Sequence, residues 1–135
     1  LHKELGEWMT ANVTIVRYND RLLKTDEKIQ ELMERYKNIS VTDTAKWSNQ
    51  GATFIRQLYN MLQLARVITL GAYNRNESRG AHYKPEFPER NDKEWLKTTM
   101  ARYTPDGPSF HYEDVDVSLI KPRKRDYSKK KEEVK

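Results

Sequence analysis

The sequence has 135 residues, of which 36% are hydrophobic, 10% aromatic and 33% charged, and its mean hydropathy is −0.99. These values exclude a disordered chain and indicate one small domain with a very polar surface. The absence of Cys from the sequence excludes disulfides and any zinc or iron–sulfur site with Cys ligands, and no apolar run in it reaches the ~20 residues that span a bilayer.

The net charge of +5 is concentrated at one end of the sequence. Residues 121–135 contain eight Lys and Arg against three acidic residues, so the first 120 residues carry seventeen charges of each sign. No recognition element accompanies this basic segment. We therefore expect a solvated or protein-docked tail in preference to one that binds nucleic acid or anionic lipid, with a mobile end at residues 129–135.

Three segments have the apolar spacing of amphipathic helices. The first covers residues 1–17, the second begins at a cap on Asn19 or Asp20 and ends near Asn38, and the long third covers residues 54–72. In the second helix, charged side chains are predicted to face mostly outward (Asp26, Glu27, Lys28, Glu31, Glu34, Arg35 and Lys37). The third helix is apolar over most of its circumference, which predicts burial between its neighbours in an up-down-up bundle.

The pattern changes after Asn76, where frequent Pro and Gly leave room only for short elements. A short helix is predicted at residues 92–100 and a strand at residues 115–120, where apolar and polar residues alternate. The predicted fold class is mainly α: a three-helix up-down-up bundle followed by an irregular segment with a short helix and short β-strands. Within one structural domain we place the bundle at residues 1–76, the irregular segment at 77–128 and the basic tail at 129–135.

The sequence contains no motif typical of catalysis, cofactor binding or metal binding. Its five Gly are scattered, so it contains neither a GxGxxG dinucleotide motif nor a P-loop. Three isolated His give no metal-ligand spacing. His82 is the one candidate acid or base, but a single such group supplies about 10²- to 10⁴-fold of the acceleration that an enzyme needs. We assign no catalytic, cofactor-binding or metal-binding residue to this chain.

Residues 76–100 read NESRGAHYKPEFPERNDKEWLKTTM. They closely resemble the ESRGAHYRxDFPxRDDxxWLKHT signature in the C-terminal domain of succinate dehydrogenase and fumarate reductase flavoproteins. The similarity extends to residues 5–17, to an LxERYK-like end of the second helix and to the DVSLIKPRKRDY ending, so it covers nearly the whole chain. L-aspartate oxidases share the SRG-centred loop, but the ending favours the dehydrogenase family.

The resemblance implies a spectrin-repeat-like three-helix bundle whose irregular segment packs on a flavin domain of the same polypeptide. It implies that FAD and the residues that bind it and the dicarboxylate lie upstream, so this fragment alone is expected to be inactive. The implied parent oxidises succinate to fumarate with FAD. Its implied partners are an iron–sulfur subunit and a membrane anchor, with no nucleic acid, and its implied location is cytoplasmic, on the inner face of the cell membrane. A free-standing helical adaptor with a basic nucleic-acid- or membrane-binding tail is the alternative.

The signature loop supplies a docking hypothesis. Gly80 permits a tight backbone approach, Arg79 offers a rigid fork for carboxylates or carbonyls, and His82 and Tyr83 add polar tips. The proposed inter-domain docking residues are Glu77, Ser78, Arg79, Gly80, His82, Tyr83, Arg90 and Trp95. The alternative is that Arg79 and Glu77 only satisfy each other within the loop.

Overall fold

The structure is a computed structural model that describes residues 1–123. It contains three long helices, one short helix and a two-stranded antiparallel sheet. In chain order these elements are α1 (His2–Asn12), α2 (Asn19–Tyr36), α3 (Gln50–Asn74), α4 (Asp92–Trp95), β1 (Lys97–Arg102) and β2 (Ser109–Asp114).

The three long helices alternate in direction. Arg35, near the end of α2, donates to Glu4, near the start of α1, at 2.7 Å. The Tyr36 hydroxyl donates to the carbonyl of Ile55 at the start of α3, at 3.0 Å. Both contacts join the end of one helix to the start of another, so α2 is antiparallel to α1 and to α3. The predicted mainly helical class and the up-down-up bundle are confirmed.

The core of the bundle consists of apolar side chains at helical spacing. One buried cluster joins all three helices and a second lies where the end of α1 meets the start of α2 and the end of α3. Their buried members are Leu5, Val13, Leu22, Ile29, Leu32, Leu58, Leu62, Ala65 and Ala72. Burial of these side chains is the main source of stability expected for the bundle.

Asp26 departs from the prediction that the charged side chains of α2 face outward. It is only 7% exposed and accepts hydrogen bonds from Arg66 Nε at 2.9 Å and Gln30 Nε2 at 2.7 Å. The physical reason is its register, because Leu22, Asp26 and Ile29 are spaced by four and three residues and share the buried face. The charge is tolerated there because Arg66 of α3 pairs with it.

The first helix ends at Asn12, five residues before the predicted end at Arg17. Residues 13–16 are all β-branched (Val13, Thr14, Ile15 and Val16), a run that weakens helix propensity. The backbone instead pairs with a distant segment, since Tyr83 N donates to Ile15 O at 3.1 Å and Arg17 N donates to Tyr83 O at 2.9 Å. This pairing fixes residues 15–17 against the loop that follows α3.

The third helix is not buried all round. Its buried side is covered by α1 and α2, but Leu64 is 61% exposed and Ile68 is 50% exposed. The prediction of burial between neighbours is therefore wrong for this face, because two helices cover only part of the circumference of a third. An apolar strip of α3 remains open to solvent in the described chain.

The short elements after α3 also differ from prediction. Helix α4 ends at Trp95, and the remainder of the predicted 92–100 helix is strand β1, which pairs with β2 from Lys97↔Asp114 to Arg102↔Ser109. Residues 115–120 form no strand, so the strand prediction there is wrong: the hydrogen-bonding partner of β1 is taken by residues 109–114. The predicted tail at 129–135 lies outside the described residues, and the division at residue 76 stays a prediction.

Candidate functional site

The signature loop, residues 77–95, leaves the end of α3 and returns to the hairpin through two tight turns. Arg79 and His82 exchange backbone hydrogen bonds at 2.8 and 3.0 Å, and Gly80 between them has φ of +60°. This conformation is costly for residues with a Cβ, so Gly80 is required by the turn. Phe87 N donates to Lys84 O at 2.9 Å and closes the second turn. The loop is thereby folded back on itself.

Glu77 lies at the centre of the hydrogen bonds that hold the loop. Its side chain is fully buried and accepts hydrogen bonds from Arg79 Nε and Nη2 at 2.9 and 3.0 Å, from the backbone N–H of Asn91 at 3.0 Å, and from Arg75 Nη1. Burial by itself raises the pKa of this carboxyl, but the donors from Arg79, Asn91 and Arg75 outweigh it and hold the pKa below its usual value. Glu77 is therefore an ionised anchor.

Asp92 extends this network. Its two oxygens accept from Arg79 Nη2 at 2.7 Å and from Arg90 Nη2 at 2.8 Å. The hydrogen bond from Arg79 is the main reason why the pKa of Asp92 is lowered, and the pKa of Arg79 is raised by Glu77 and Asp92 in turn. Together with Glu77, these residues form a chain of alternating charge, which we call the ion-pair network (Arg75, Glu77, Arg79, Asp92 and Arg90).

Arg75 joins the network to the hairpin. Its guanidinium donates to Trp95 O at 3.0 Å and to Lys97 O, and it lies 5.4 Å from the centre of the Trp95 ring. Trp95 in turn meets the Tyr112 ring of β2 edge-on, with the ring centres 5.5 Å apart. One arginine therefore ties the end of α3 to the loop, to α4 and to the sheet.

His82 occupies the opposite side of the loop, against Arg17. Its Nδ1 lies 2.6 Å from Arg17 Nη1 and its Nε2 lies 3.0 Å from the carbonyl oxygen of Arg75. A guanidinium only donates and a carbonyl only accepts, so Nδ1 is unprotonated and Nε2 carries the proton. Burial and then the charges of Arg17, Lys84 and Arg75 lower the pKa of His82, although the Arg75 carbonyl opposes them. The imidazole is thus held neutral.

Lys84 is fully buried without an ion-pair partner among the described residues. Its Nζ donates to Tyr73 O at 2.8 Å and to Asn76 Oδ1 at 3.0 Å, and it lies 5.9 Å from the centres of the Tyr73 and Phe87 rings. Burial lowers the pKa of Lys84 to about 8, with Glu86 opposing the shift. The amine occupies the C-terminal end of α3, where unpaired carbonyls favour a positive charge.

Comparison with known proteins places this fold and loop in a family. The family model described as the fumarate reductase flavoprotein C-terminal region matches residues 2–127. The chain belongs to this family. It is 78% identical over 133 residues to a succinate dehydrogenase flavoprotein subunit of Bacillus subtilis, covering 97% of this chain and 23% of that protein. It is 36% identical over 130 residues to a fumarate reductase flavoprotein subunit of Proteus vulgaris, covering 94% of this chain and 22% of that one.

A solved structure of an Escherichia coli quinol fumarate reductase has the same fold, with a TM-score of 0.83 and 34% identity over 88% of this chain and 21% of that chain. The chain therefore spans about a quarter of the length of the flavoprotein relatives that it matches, and it corresponds to their C-terminal part. The resemblance stated from the signature loop is confirmed.

Five of the proposed docking residues of this flavoprotein C-terminal domain lie within or against the ion-pair network. Glu77, Arg79 and Arg90 belong to it and Trp95 packs on it, while Ser78 supports the adjacent turn by accepting from Lys84 N at 2.9 Å and donating to Phe87 O at 2.8 Å. The remaining three lie between Arg79 and Arg90 in the chain, at the loop tip, where Gly80 and Tyr83 are exposed and His82 is half-buried. Glu77 and Arg79 pair with each other, as expected from the alternative hypothesis that these two residues only satisfy each other within the loop.

Sequence reasoning missed four residues on which the loop depends. Arg75, Asp92 and Lys84 complete the polar contacts of the loop, and Arg17 reaches His82 from 65 residues away. The alternation of charge at Arg75, Glu77 and Arg79 was a local sequence signal that could have identified Arg75. The contact of Arg17 had no sequence signal, because it depends on the backbone pairing of residues 15–17 with Tyr83.

Within residues 1–123, no three His, Asp or Glu side chains are arranged to hold a metal ion, and no helix has the length and apolar character to cross a bilayer. The charged groups of the loop bind one another and backbone atoms. These ion pairs and hydrogen bonds can hold the loop in one conformation, with its tip at the protein surface.

Proposed function

We propose that this chain is the C-terminal structural domain of a succinate dehydrogenase flavoprotein subunit. The observation that carries the proposal is the 78% identity, over 97% of the chain, to the Bacillus subtilis succinate dehydrogenase flavoprotein subunit. The whole subunit would oxidise succinate to fumarate with FAD, together with an iron–sulfur subunit and a membrane anchor on the cytoplasmic face of the membrane. This domain would brace the part of the polypeptide that holds the flavin.

The residues described here do not fit FAD. A dinucleotide site uses a parallel βαβ unit with a glycine-rich turn at a helix N-terminus, whereas the sheet found within residues 1–123 is a two-stranded antiparallel hairpin. The flavin is therefore assigned to the part of the subunit that precedes this domain. The domain takes no direct part in hydride transfer.

The docking role rests on the shape of the signature loop. The ion-pair network fixes the base of the loop, so its tip, including the exposed Tyr83, is presented in one conformation beside the exposed Ile15 and Val16. A preorganised surface binds a neighbouring domain without a further loss of conformational entropy. On this proposal Glu77 and Arg79 act by holding the loop, and the tip makes the inter-domain contact.

The test uses the whole flavoprotein subunit with Arg79→Ala. The substitution is expected to lower the ratio of bound flavin to polypeptide and to increase proteolytic cleavage between the flavin part and this domain. Arg56→Ala, at an exposed arginine of α3, is the matched control. If Arg79→Ala retains flavin, succinate-dependent dye reduction and protease resistance as the control does, the docking role is wrong.

A further inference from the structure

A pocket of about 270 Å³ lies between α3 and the hairpin, and neither carboxylate of the ion-pair network lines it. Its walls are apolar, with Ile68 of α3 and Phe110 of β2 among them, and its polar groups come from Arg17, Arg75, His82 and Thr99. We call it the Arg17 pocket. Its polar lining contains no acidic side chain, so the charge that it presents is positive.

Arg17 differs from the other part-buried arginines of the described chain. Arg66, Arg75, Arg79 and Arg90 each form an ion pair with a carboxylate. Arg17 is half-buried and donates from Nε to Val13 O at 3.0 Å and from Nη1 to His82 Nδ1 at 2.6 Å, but it pairs with no carboxylate within residues 1–123. A guanidinium stays charged when buried, so within residues 1–123 the charge of Arg17 has no carboxylate to balance it.

The surroundings hold Arg17 in position and do not neutralise it. The neutral His82 fixes Nη1, and the Val13 carbonyl fixes Nε, while Nη2 makes no hydrogen bond to any described residue. Lys84 and Arg75 add positive charge near His82. A planar guanidinium that is already oriented, with a free donor beside an apolar cleft, suits an anion that carries an apolar stem.

We propose that the Arg17 pocket binds a carboxylate whose oxygen accepts from Arg17 Nη2 and whose carbon chain lies between Ile68 and Phe110. Two sources share this chemistry. One is an Asp or Glu side chain from the part of the subunit that precedes this domain, and the other is a free small carboxylate. With the first source, the inference rests on the proposed docking role, because the carboxylate would belong to the neighbouring domain. With the second source, a free carboxylate would bind whether or not the loop docks on that domain.

The first arm of the test uses the 135-residue chain. It is titrated with sodium acetate and with sodium succinate at constant ionic strength, chloride being the balancing anion, while the NMR signals of Arg17 Nε–H and His82 are followed. Saturable shifts at both residues are expected. Arg17→Gln should weaken the apparent affinity by about tenfold or more, because it removes a charge-assisted hydrogen bond, and Arg56→Gln should leave it unchanged.

Linear shifts that do not saturate, or equal binding by Arg17→Gln, would overturn the proposal. The spectrum of each variant reports whether it is folded. If Arg17→Gln is unfolded, Arg17→Lys replaces it, since lysine keeps the charge but lacks the planar fork, and a severalfold loss of affinity is then expected. Unchanged affinity in a folded Arg17→Lys chain counts against the proposal.

The second arm identifies the source in the whole subunit through the reactivity of Arg17 with phenylglyoxal, measured by peptide mass spectrometry. An acidic side chain in the pocket protects Arg17 without any added carboxylate. A free carboxylate protects it only while acetate or succinate is present. Equal reactivity with and without these salts, at the rate of the exposed Arg56, contradicts both sources. Failure here leaves the Arg79→Ala test of docking unaffected, and the reverse also holds.

Discussion

The bundle, residues 1–74, and the signature loop that follows it bury different kinds of side chain. All nine buried apolar side chains of the described core belong to the bundle, whereas in residues 77–95 the buried side chains are Glu77 and Lys84, both charged. The bundle also buries Thr25, Asp26 and Thr69, but it is held mainly by apolar surface removed from water, whereas the loop is held by ion pairs and hydrogen bonds of defined direction. Substitutions should therefore disrupt the two regions by different physical mechanisms.

The difference also explains why the two regions suit different roles. Apolar packing tolerates substitutions that keep volume and pattern, whereas each polar partner in the loop has a fixed geometry and a cost if it is left unpaired. Glu77 receives donors from Arg75, Arg79 and Asn91, so it specifies one loop conformation. The proposed docking role would use this difference, with the bundle as the scaffold and the loop as the surface of fixed conformation.

The largest expected effect is in the core of the bundle. Leu62→Ala should lower the free energy of unfolding by about 2–5 kcal/mol, because Leu62 is fully buried in the main cluster and its loss leaves a cavity. Leu64→Ala, two residues along the same helix at a side chain that is 61% exposed, should change it by less than about 1 kcal/mol. Urea unfolding of the 135-residue chain measures both. Equal losses would show that the bundle is not held by its assigned core.

The fold was predictable in the bundle because apolar spacing reports directly on helix faces. The second helix was predicted from its apolar spacing, and Leu22, Ile29 and Leu32, which have this spacing, are buried on one face of α2. The same pattern could not show that Asp26 shares this face, since its burial depends on Arg66 of another helix. In the loop, the signature indicated candidate docking residues but not their partners, and the docking role of these residues stays a prediction. The contacts of Arg79 with Asp92 and of His82 with Arg17 are set by tertiary packing, which no local pattern encodes.

The next largest effect tests the ion-pair network. Glu77→Gln should lower the free energy of unfolding by about 1.5–3 kcal/mol, because it leaves the guanidinium groups of Arg75 and Arg79 without their shared counter-charge in a buried site. The partial exposure of both arginines keeps the loss below that of a fully buried pair. Glu27→Gln, at an exposed carboxylate of α2, is the control and should have little effect. The measurement is again urea unfolding.

A double-mutant cycle sharpens this result. If Glu77 acts through Arg79, adding Arg79→Gln to Glu77→Gln should cost less than Arg79→Gln alone in the wild-type chain. Additive losses would mean that the two residues stabilise the loop independently, and the description of a coupled network would then be wrong.

Lys84 gives the loop a dependence of stability on alkaline pH, because its pKa is lowered in the folded chain. The pKa of Lys84 is about 8 in the folded chain, against an ordinary value of 10.5 that applies to the unfolded chain. Between these two pH values the unfolded chain therefore binds more protons than the folded chain. Stability should therefore rise as pH increases from about 8 to 10.5, by on the order of 2 kcal/mol. The groups that face this amine are Glu86, which opposes the shift, and Arg17, which favours it.

The measurement is the urea midpoint as a function of pH, taken as the difference between wild type and Lys84→Met so that other titrating groups cancel. The rise attributed to Lys84 should vanish in the variant. Lys93→Met, at an exposed lysine of α4, should keep it. A rise of the same size in Lys84→Met would assign the pH dependence to other residues.

The smallest effects come from two glycines, one in each region, that should respond to the same substitution with opposite signs. An added Cβ meets no atom within 4 Å at either Gly6 in α1 or Gly80 in the loop, so packing is excluded as a cause at both sites. Gly6→Ala should stabilise the chain by about 0.5–1 kcal/mol, because alanine loses less backbone entropy in a helix. Gly80→Ala should destabilise it by about 1–2 kcal/mol, because φ of +60° is strained for an L side chain. Thermal unfolding of both variants decides the matter: two shifts of the same sign would mean that the turn at Gly80 does not have the left-handed conformation on which the loop depends.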